Sequence, residues 1–261
     1  MRVVSWNLNN RKNNEKQWDF LRGQDADVIL LQEVHSLPPD LEKQYSVVSS
    51  STVSKFGEFV ARKTVVMVRG EIVEQLQFSC ELPWVNGSLA DLSGAFVGVK
   101  VVIEGREVNV VSVYNPHWQI DNFIPEGTDT SGIKMDSARG LWASDLFWFC
   151  MKNNPTFQSE DWLVAGDFNL CETLDTPKPK GHAEFLDRMN AIGFTDCLRS
   201  FNGKLTPTYE HHSGDELINQ LDYMFTTNGL SEKLKSCETA DPSIIFGEKT
   251  SDHLPVVGDF G

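Results

Sequence analysis

Four short apolar runs limit what this chain can fold into. They are Val3-Val4-Ser5-Trp6, Val28-Ile29-Leu30-Leu31, Val110-Val111-Ser112-Val113 and Trp162-Leu163-Val164-Ala165. Runs of four residues without polar alternation read as strands covered on both faces. Between them lie segments of helical period. Asn13 and Asn14 stand where a cap would, ahead of a helix from Glu15 to Gly23 with Trp18, Leu21 and Phe20 on its apolar side. A second helix is predicted from Ser137 to Lys152, with Leu141, Leu146, Phe147 and Phe149, and a third over 181–192. Further strands are expected from Phe59 to Arg69, from Leu221 to Thr226 and from Leu254 to Val257. Residues 95–103 and 107–114 read as a hairpin about Glu104-Gly105-Arg106. Residues 118–136 are polar and read as a long loop, which inside a compact domain is usually functional or disordered. The alternation predicts an α/β fold of sheet layers flanked by helices. A length of 261 residues favours one domain, 1–261.

The chemistry emerges at the C-terminal end of each buried run. Val3–Trp6 ends in Asn7, and Leu30-Leu31 in Gln32-Glu33. Val113 runs into Tyr114-Asn115-Pro116-His117, and Ala165 into Gly166-Asp167-Phe168-Asn169. Leu221 precedes Asp222-Tyr223, and the C-terminal region carries Ser251-Asp252-His253-Leu254-Pro255. Each could be a turn by itself. Six such termini are better explained as a site, because strand ends are where α/β folds build them.

The set resembles the endonuclease/exonuclease/phosphatase family of metal-dependent phosphoesterases. The motifs are Trp6-Asn7, Leu31-Gln32-Glu33, Tyr114-x-Pro116, Gly166-Asp167-Phe168-Asn169, Leu221-Asp222-Tyr223 and Ser251-Asp252-His253-x-Pro255. They stand in the family's order from residue 6 to 255. The resemblance implies a four-layer α/β sandwich, two mixed β-sheets packed face to face and flanked by helices, with the site at one rim. It implies a hydrolase of phosphoric esters. Nuclease-like cleavage of phosphodiesters in DNA or RNA leads. Action on a small phosphate ester or phospholipid headgroup is the alternative, and a catalytically silent binding member the weaker one.

The resemblance also implies roles. Mg²⁺, with Mn²⁺ as a substitute, would be held by Glu33, by the amide oxygen of Asn7 and by Asp252, directly or through water. Such a hard cation takes oxygen ligands and needs only one or two carboxylates. His253 and Asp222 correspond to the family's His–Asp pair, in which the acid fixes the tautomer and raises imidazole basicity. Asp167 would orient and deprotonate the attacking water. Asn169 and Tyr114 would donate hydrogen bonds to phosphate oxygens as charge develops. A second ion on Asp167, Asn169 and His253 stays open, as does the choice of Asp167 or histidine as base. Arg11, Lys12 and His117 are candidate substrate contacts, and His35 is a weaker one. His211-His212 reads as a solvated loop.

Some positions depart from the repair branch of that family. Asn9-Asn10-Arg11-Lys12 stands where an acid or Asn with Gly-Leu-Arg is common, and Gln220 stands two residues before Asp222 in place of an Arg. Trp162 is the last tryptophan, so a late aromatic wall for an abasic sugar is not evident. Thr206-Pro207-Thr208-Tyr209 keeps the family pattern.

Charge narrows the substrate. The net charge is −14; residues 1–120 hold 12 basic and 14 acidic side chains, residues 121–261 hold 11 and 23. Such a chain repels long polyanions. The acidic loop with Asp121, Glu126, Asp129 and Asp136 is expected to flank the cleft and to penalise an extended duplex more than a short ester. Five widely spaced cysteines, Cys80, Cys150, Cys171, Cys197 and Cys237, read as free thiols of a reducing cytoplasm. No signal peptide, membrane span or protein partner is inferred. Neither Gly-x-Ser-x-Gly nor Gly-x-x-x-x-Gly-Lys occurs, which disfavours a serine hydrolase and a P-loop nucleotidase.

Overall fold

The computed structural model describes residues 1–9, 14–211 and 216–261. The chain order is β1 (Arg2–Asn7), α1 (Glu15–Gln24), β2 (Val28–Val34), α2 (Pro39–Gln44), β3 (Ser46–Val53), β4 (Phe59–Val68), β5 (Glu71–Gln75), α3 (Pro83–Asp91), β6 (Phe96–Ile103) and β7 (Arg106–Tyr114). It continues with α4 (Ala143–Lys152), β8 (Trp162–Asp167), α5 (His182–Ala191), β9 (Phe194–Asp196), α6 (Cys197–Asn202), β10 (Asp222–Thr227), α7 (Asn228–Ser231), β11 (Leu234–Thr239), α8 (Pro242–Ile245) and β12 (Val256–Phe260).

Two six-stranded mixed sheets result, ordered β11-β12-β1-β2-β4-β3 and β5-β6-β7-β8-β10-β9. Each is built around a parallel pair, β1 with β2 and β7 with β8, with antiparallel strands on either side. The sheets pack face to face through Val3, Leu30 and Val66 of one and Val99, Val110 and Leu163 of the other. The neighbouring residues point outward. Val4, Ile29 and Leu31 meet Trp18 and Leu21 of α1, Leu41 of α2 and Ile245 of α8. Val111, Val164 and Phe225 meet Phe147 and Trp148 of α4 and Phe185 and Met189 of α5. The central strands therefore lack polar alternation because both of their faces are covered. Each such buried aliphatic side chain stabilises by roughly 1.5–3 kcal/mol.

Local structure departs from expectation at two helix starts. The helix expected from Ser137 begins at Ala143. Residues 136–142 spend their backbone donors elsewhere: Asp136 N–H and Ser137 N–H bond the Glu184 carboxylate, and Trp142 N–H bonds Asp145 Oδ2 at 2.9 Å. At α1, Asn14 occupies the cap position but its side chain caps nothing, while Asn13 lies outside the described residues. The helix is tied down by Gln17, whose Nε2 donates to the carbonyls of Leu8 and Thr250. No helix among the described residues is long and apolar enough to cross a membrane.

Register brings the strand ends to one rim. Asn7 pairs with Gln32 across β1 and β2, Tyr114 with Asp167 across β7 and β8, and Asp222 with Asp167 across β10 and β8. Between the sheets, Gln32 Nε2 donates to Ser112 Oγ at 3.1 Å, both groups fully buried. Gly166 sits at φ +151°, and a Cβ there would overlap the Val113 carbonyl oxygen of β7. Only glycine allows that approach just before Asp167. Overpacking costs about 1–3 kcal/mol, so Gly166→Ala is expected to lower the melting temperature by roughly 5–10 °C. A melt indistinguishable from wild type would contradict the tight β7–β8 contact.

Candidate active site

The residues singled out at the strand ends converge. Glu33, Tyr114, His117, Asp167, Asn169, Asp252 and His253 line one cleft of about 420 Å³. Asn7 and Asp222 lie buried beneath it. Arg11 and Lys12 fall outside the described residues, as does His212. His35 is half-buried and does not line the cleft. The acidic side chains Asp121, Glu126, Asp129 and Asp136 do not line it either.

The floor is a relay of buried carboxylates about His253. His253 Nδ1 is 2.8 Å from Asp222 Oδ2, and Thr208 Oγ1 donates to that same oxygen at 2.7 Å. Thr208 Oγ1 in turn accepts the N–H groups of Leu221 and Asp222 at 3.0 Å each. His253 Nε2 faces Asp167 Oδ2 and Asp252 Oδ1, each 3.9 Å away. The backbone is held as firmly: Trp6 Nε1 donates to His253 O at 2.8 Å, and Ser251 Oγ donates to Asn7 O while accepting His253 N–H. Tyr209 covers the imidazole, ring centroids 4.8 Å apart.

Asp167 receives Asn169 N–H on Oδ1 at 2.8 Å, and Asn7 Nδ2 at 2.9 Å and Asn169 Nδ2 at 3.0 Å on Oδ2. Two orientations differ from expectation here. Asn7 turns its amide nitrogen, not its oxygen, toward Asp167 and Glu33, because its Oδ1 accepts Asn9 N–H at 2.8 Å. Asn169 Nδ2 donates to Asn115 O and Asp167 Oδ2, so the side chain braces Asp167. Glu33 at φ +56° and Asn169 at φ +50° hold left-handed backbone, uncommon for non-glycine residues and often found where a site is over-determined.

Several site residues escape the sequence, Arg62, Trp142 and His182 among them. Arg62, on β4, places Nη1 3.0 Å from Glu33 Oε2, with its guanidinium 6.0 Å from the Tyr114 ring centroid. It sits within a half-exposed strand stretch and follows no buried run. Only the antiparallel register of β4 with β2, offset by a bulge between Leu31 and Val34, brings it to Glu33. The far wall is formed by Trp142 and His182, whose rings meet edge-on at 5.6 Å. Gln220, by contrast, is a buried latch between Asp196 and Thr206 N–H.

Electrostatics follow from burial. Burial pushes the Asp167 carboxyl above the ordinary carboxylate range, against the pull of His253, and does the same to Asp252. Burial opposes charge on His253, but Asp222 and Asp167 outweigh it and push its pKa up to about 10. Burial and Glu33 push the Tyr114 phenol upward, so it stays a neutral donor at any physiological pH. Atoms of Asp167, Asp222 and His253 lie within 4.8 Å of one another, a set that could hold a metal ion. Asp222 Oδ1 and Asp252 Oδ1 are buried with no hydrogen-bond partner, which suits oxygens that can ligate a cation.

The site predicts a titration. A raised His253 pKa means the imidazolium persists at neutral pH. Its ion-pair contribution to stability is complete below the ordinary value of 6.5 and is lost as pH rises through about 10. In metal-free protein, long-range ¹⁵N–¹H spectra should show His253 doubly protonated at pH 7, and Asp222→Asn should lower its pKa. A neutral His253 at pH 7 would refute the relay.

The chain matches the family model for the Endonuclease/Exonuclease/phosphatase family over residues 4–253. It is 23% identical over 283 aligned positions to an exodeoxyribonuclease of Bacillus subtilis (strain 168), covering 98% of each chain. It superimposes on an AP endonuclease from Archaeoglobus fulgidus with a TM-score of 0.70 and 19% identity, covering 100% of this chain and 99% of that one. Against a variant of the 3′ phosphatase NExo from Neisseria bound to a product DNA hairpin, the TM-score is 0.64 at 17% identity, with 100% and 99% covered.

Proposed function

The chain belongs to the endonuclease/exonuclease/phosphatase family, hydrolases acting on phosphoester bonds, and on that premise we propose that it is a divalent-metal-dependent nuclease cleaving phosphodiesters of nucleic acid. The observation that carries this reading is the buried Asp222–His253 hydrogen bond whose free imidazole nitrogen faces Asp167 on the cleft floor. The exodeoxyribonuclease named in Bacillus subtilis supports nucleic acid as the substrate.

In this reading Glu33 and Asp252 would hold a Mg²⁺ or Mn²⁺ ion. Asn7 would serve this site through its Nδ2, which donates to Asp167 and Glu33. Asp167 and Asp222 would offer carboxylate oxygens to a second ion, which His253 would join only as the neutral imidazole. The ion, when bound, offsets phosphate charge and activates oxygen as a Lewis acid. Asp167 orients the attacking water and takes its proton; Asn7 and Asn169 fix the carboxylate for that task. His253, charged and aligned by Asp222, donates a hydrogen bond to the phosphate as its charge grows. Tyr114 donates another. Arg62 gains an oxyanion partner beside Glu33. Five cysteines, all unpaired, support a reducing cytoplasm as the compartment.

A second reading, hydrolysis of a small phosphate ester or lipid headgroup, is favoured by one observation. A net charge of −14 penalises long polyanions. One panel separates the two. Purified protein with Mg²⁺ or Mn²⁺ is offered single- and double-stranded DNA, RNA, inositol phosphates and sphingomyelin. The expected outcome is oligonucleotide cleavage that chelation abolishes and that Asp167→Ala and His253→Ala each slow by about 10²–10⁴-fold. Cleavage that survives chelation or either substitution would overturn the mechanism. Turnover of small esters alone would replace the nuclease reading with the second one.

A further inference from the structure

A second hollow plays no part in the catalytic reading. Lys55, Phe56 and Phe59 from the β3–β4 hairpin form one wall, and Asn122, Phe123, Ile124 and Pro125 from the segment after β7 form the other. Phe56 and Phe59 are 73% and 74% exposed, against 44% for Phe201. The β3–β4 turn hydrogen-bonds itself, Ser54 N–H to Glu58 O at 2.8 Å and Gly57 N–H to Ser54 O at 2.9 Å, so the rings are presented on an ordered tip. Lys55 Nζ lies 5.0 Å from the Phe56 ring centroid.

The hollow and the cleft draw on the same stretches of chain. The same two segments wall both: β4 contributes Phe59 to the hollow and Arg62 to the cleft, and the segment after β7 contributes Phe123 to the hollow and His117 to the cleft. Two residues, Val60 and Ala61, lie between Phe59 and Arg62, a spacing of about 10 Å along the strand. Charge is also distinctive. In a chain of net −14, the stretch 55–63 carries Lys55, Arg62 and Lys63 against Glu58 alone, with Asp91 across the groove. Exposed aromatic rings interleaved with cations, leading into a phosphoesterase cleft, match the needs of unpaired nucleotides. Their bases stack on aromatic faces while their phosphates track the cations. A duplex keeps its bases stacked inside and cannot use those rings.

We propose that the β3–β4 hairpin is a stacking arm for a single-stranded segment of nucleic acid, taking bases on Phe56 and Phe59 and guiding the strand past Lys55 and Arg62 to the cleft. This rests on the nuclease reading and deepens it by selecting unpaired over duplex substrate.

The test is fluorescence anisotropy of a labelled single-stranded oligodeoxynucleotide, and of the same strand annealed into a duplex, with the full chain under chelation to prevent cleavage. KM and kcat on the single strand are measured with Mg²⁺ in parallel. Phe56→Ala and Phe59→Ala are each expected to weaken single-strand affinity about tenfold and to raise KM more than they lower kcat. Phe56→Tyr and Phe59→Tyr should retain affinity, and Phe56→Leu and Phe59→Leu should not. Both rings are exposed, so thermal melts should match wild type. Affinity within twofold of wild type in the alanine variants, equal losses on strand and duplex, or full rescue by leucine would each overturn the arm while leaving the nuclease reading intact. Wild-type protein that neither binds nor cleaves any oligonucleotide would remove both.

Discussion

The hydrogen bond from His253 to Asp222 joins what the chain otherwise keeps apart. His253 belongs to the segment entering β12 of one sheet, and Asp222 begins β10 of the other. Their 2.8 Å contact closes the rim between the sheets, and both partners are almost wholly buried. Leaving either alone would strand a charge in a low-dielectric site, a cost of several kcal/mol in comparable buried pairs. The surroundings are arranged so that neither moves. Thr208 fixes the carboxylate, Trp6 and Ser251 fix the histidine backbone, and Tyr209 covers the ring.

The shared order of the two sheets explains why a site forms at this edge. Each sheet has one parallel pair, and parallel neighbours end at the same side. The pair β1/β2 delivers Asn7 and Glu33, and β7/β8 delivers Tyr114 and Asp167. Face-to-face packing then sets four polar termini around one hollow. The aliphatic core that drives the packing has no polar choices to make, so the polar residues collect where the strands leave it. Acidity is part of the same design. Carboxylates repel one another at close range, and burial raises the cost. His253 offsets some of that cost in the folded protein, and a divalent cation would offset more.

Much of this is legible in the residues. Unbroken apolar runs mark the doubly buried strands, and the polar residues at their ends mark the site. The strands that go unread, β3, β5, β9 and β11, are the outer strands of the two sheets. Covered less completely, they carry sequences such as Ser46–Val53 and Glu71–Gln75, with no apolar run to detect. Arg62 is invisible for a different reason. It sits in mid-strand, and its partner Glu33 is set by a bulged antiparallel register that no local pattern encodes. The amide orientations of Asn7 and Asn169 depend on a competition among neighbours, Asn9 N–H and Asn115 O, that exists only after folding. The acidic segment is a long loop, as its composition implies, yet its carboxylates do not line the cleft. Composition reports how much charge a segment holds and not where the backbone points it.

The central claim is that Asp222 and His253 act as one unit on the scissile phosphate. A double-mutant cycle tests it most directly, with single-turnover rates of Mg²⁺-dependent phosphodiester cleavage for wild type, Asp222→Asn, His253→Gln and the double variant. Groups that act together lose their effect together. The double variant should therefore be no more than a few-fold slower than the slower single variant. Losses that multiply, with each substitution costing its full factor in the absence of the other residue, would show that the two work independently and would contradict the claim.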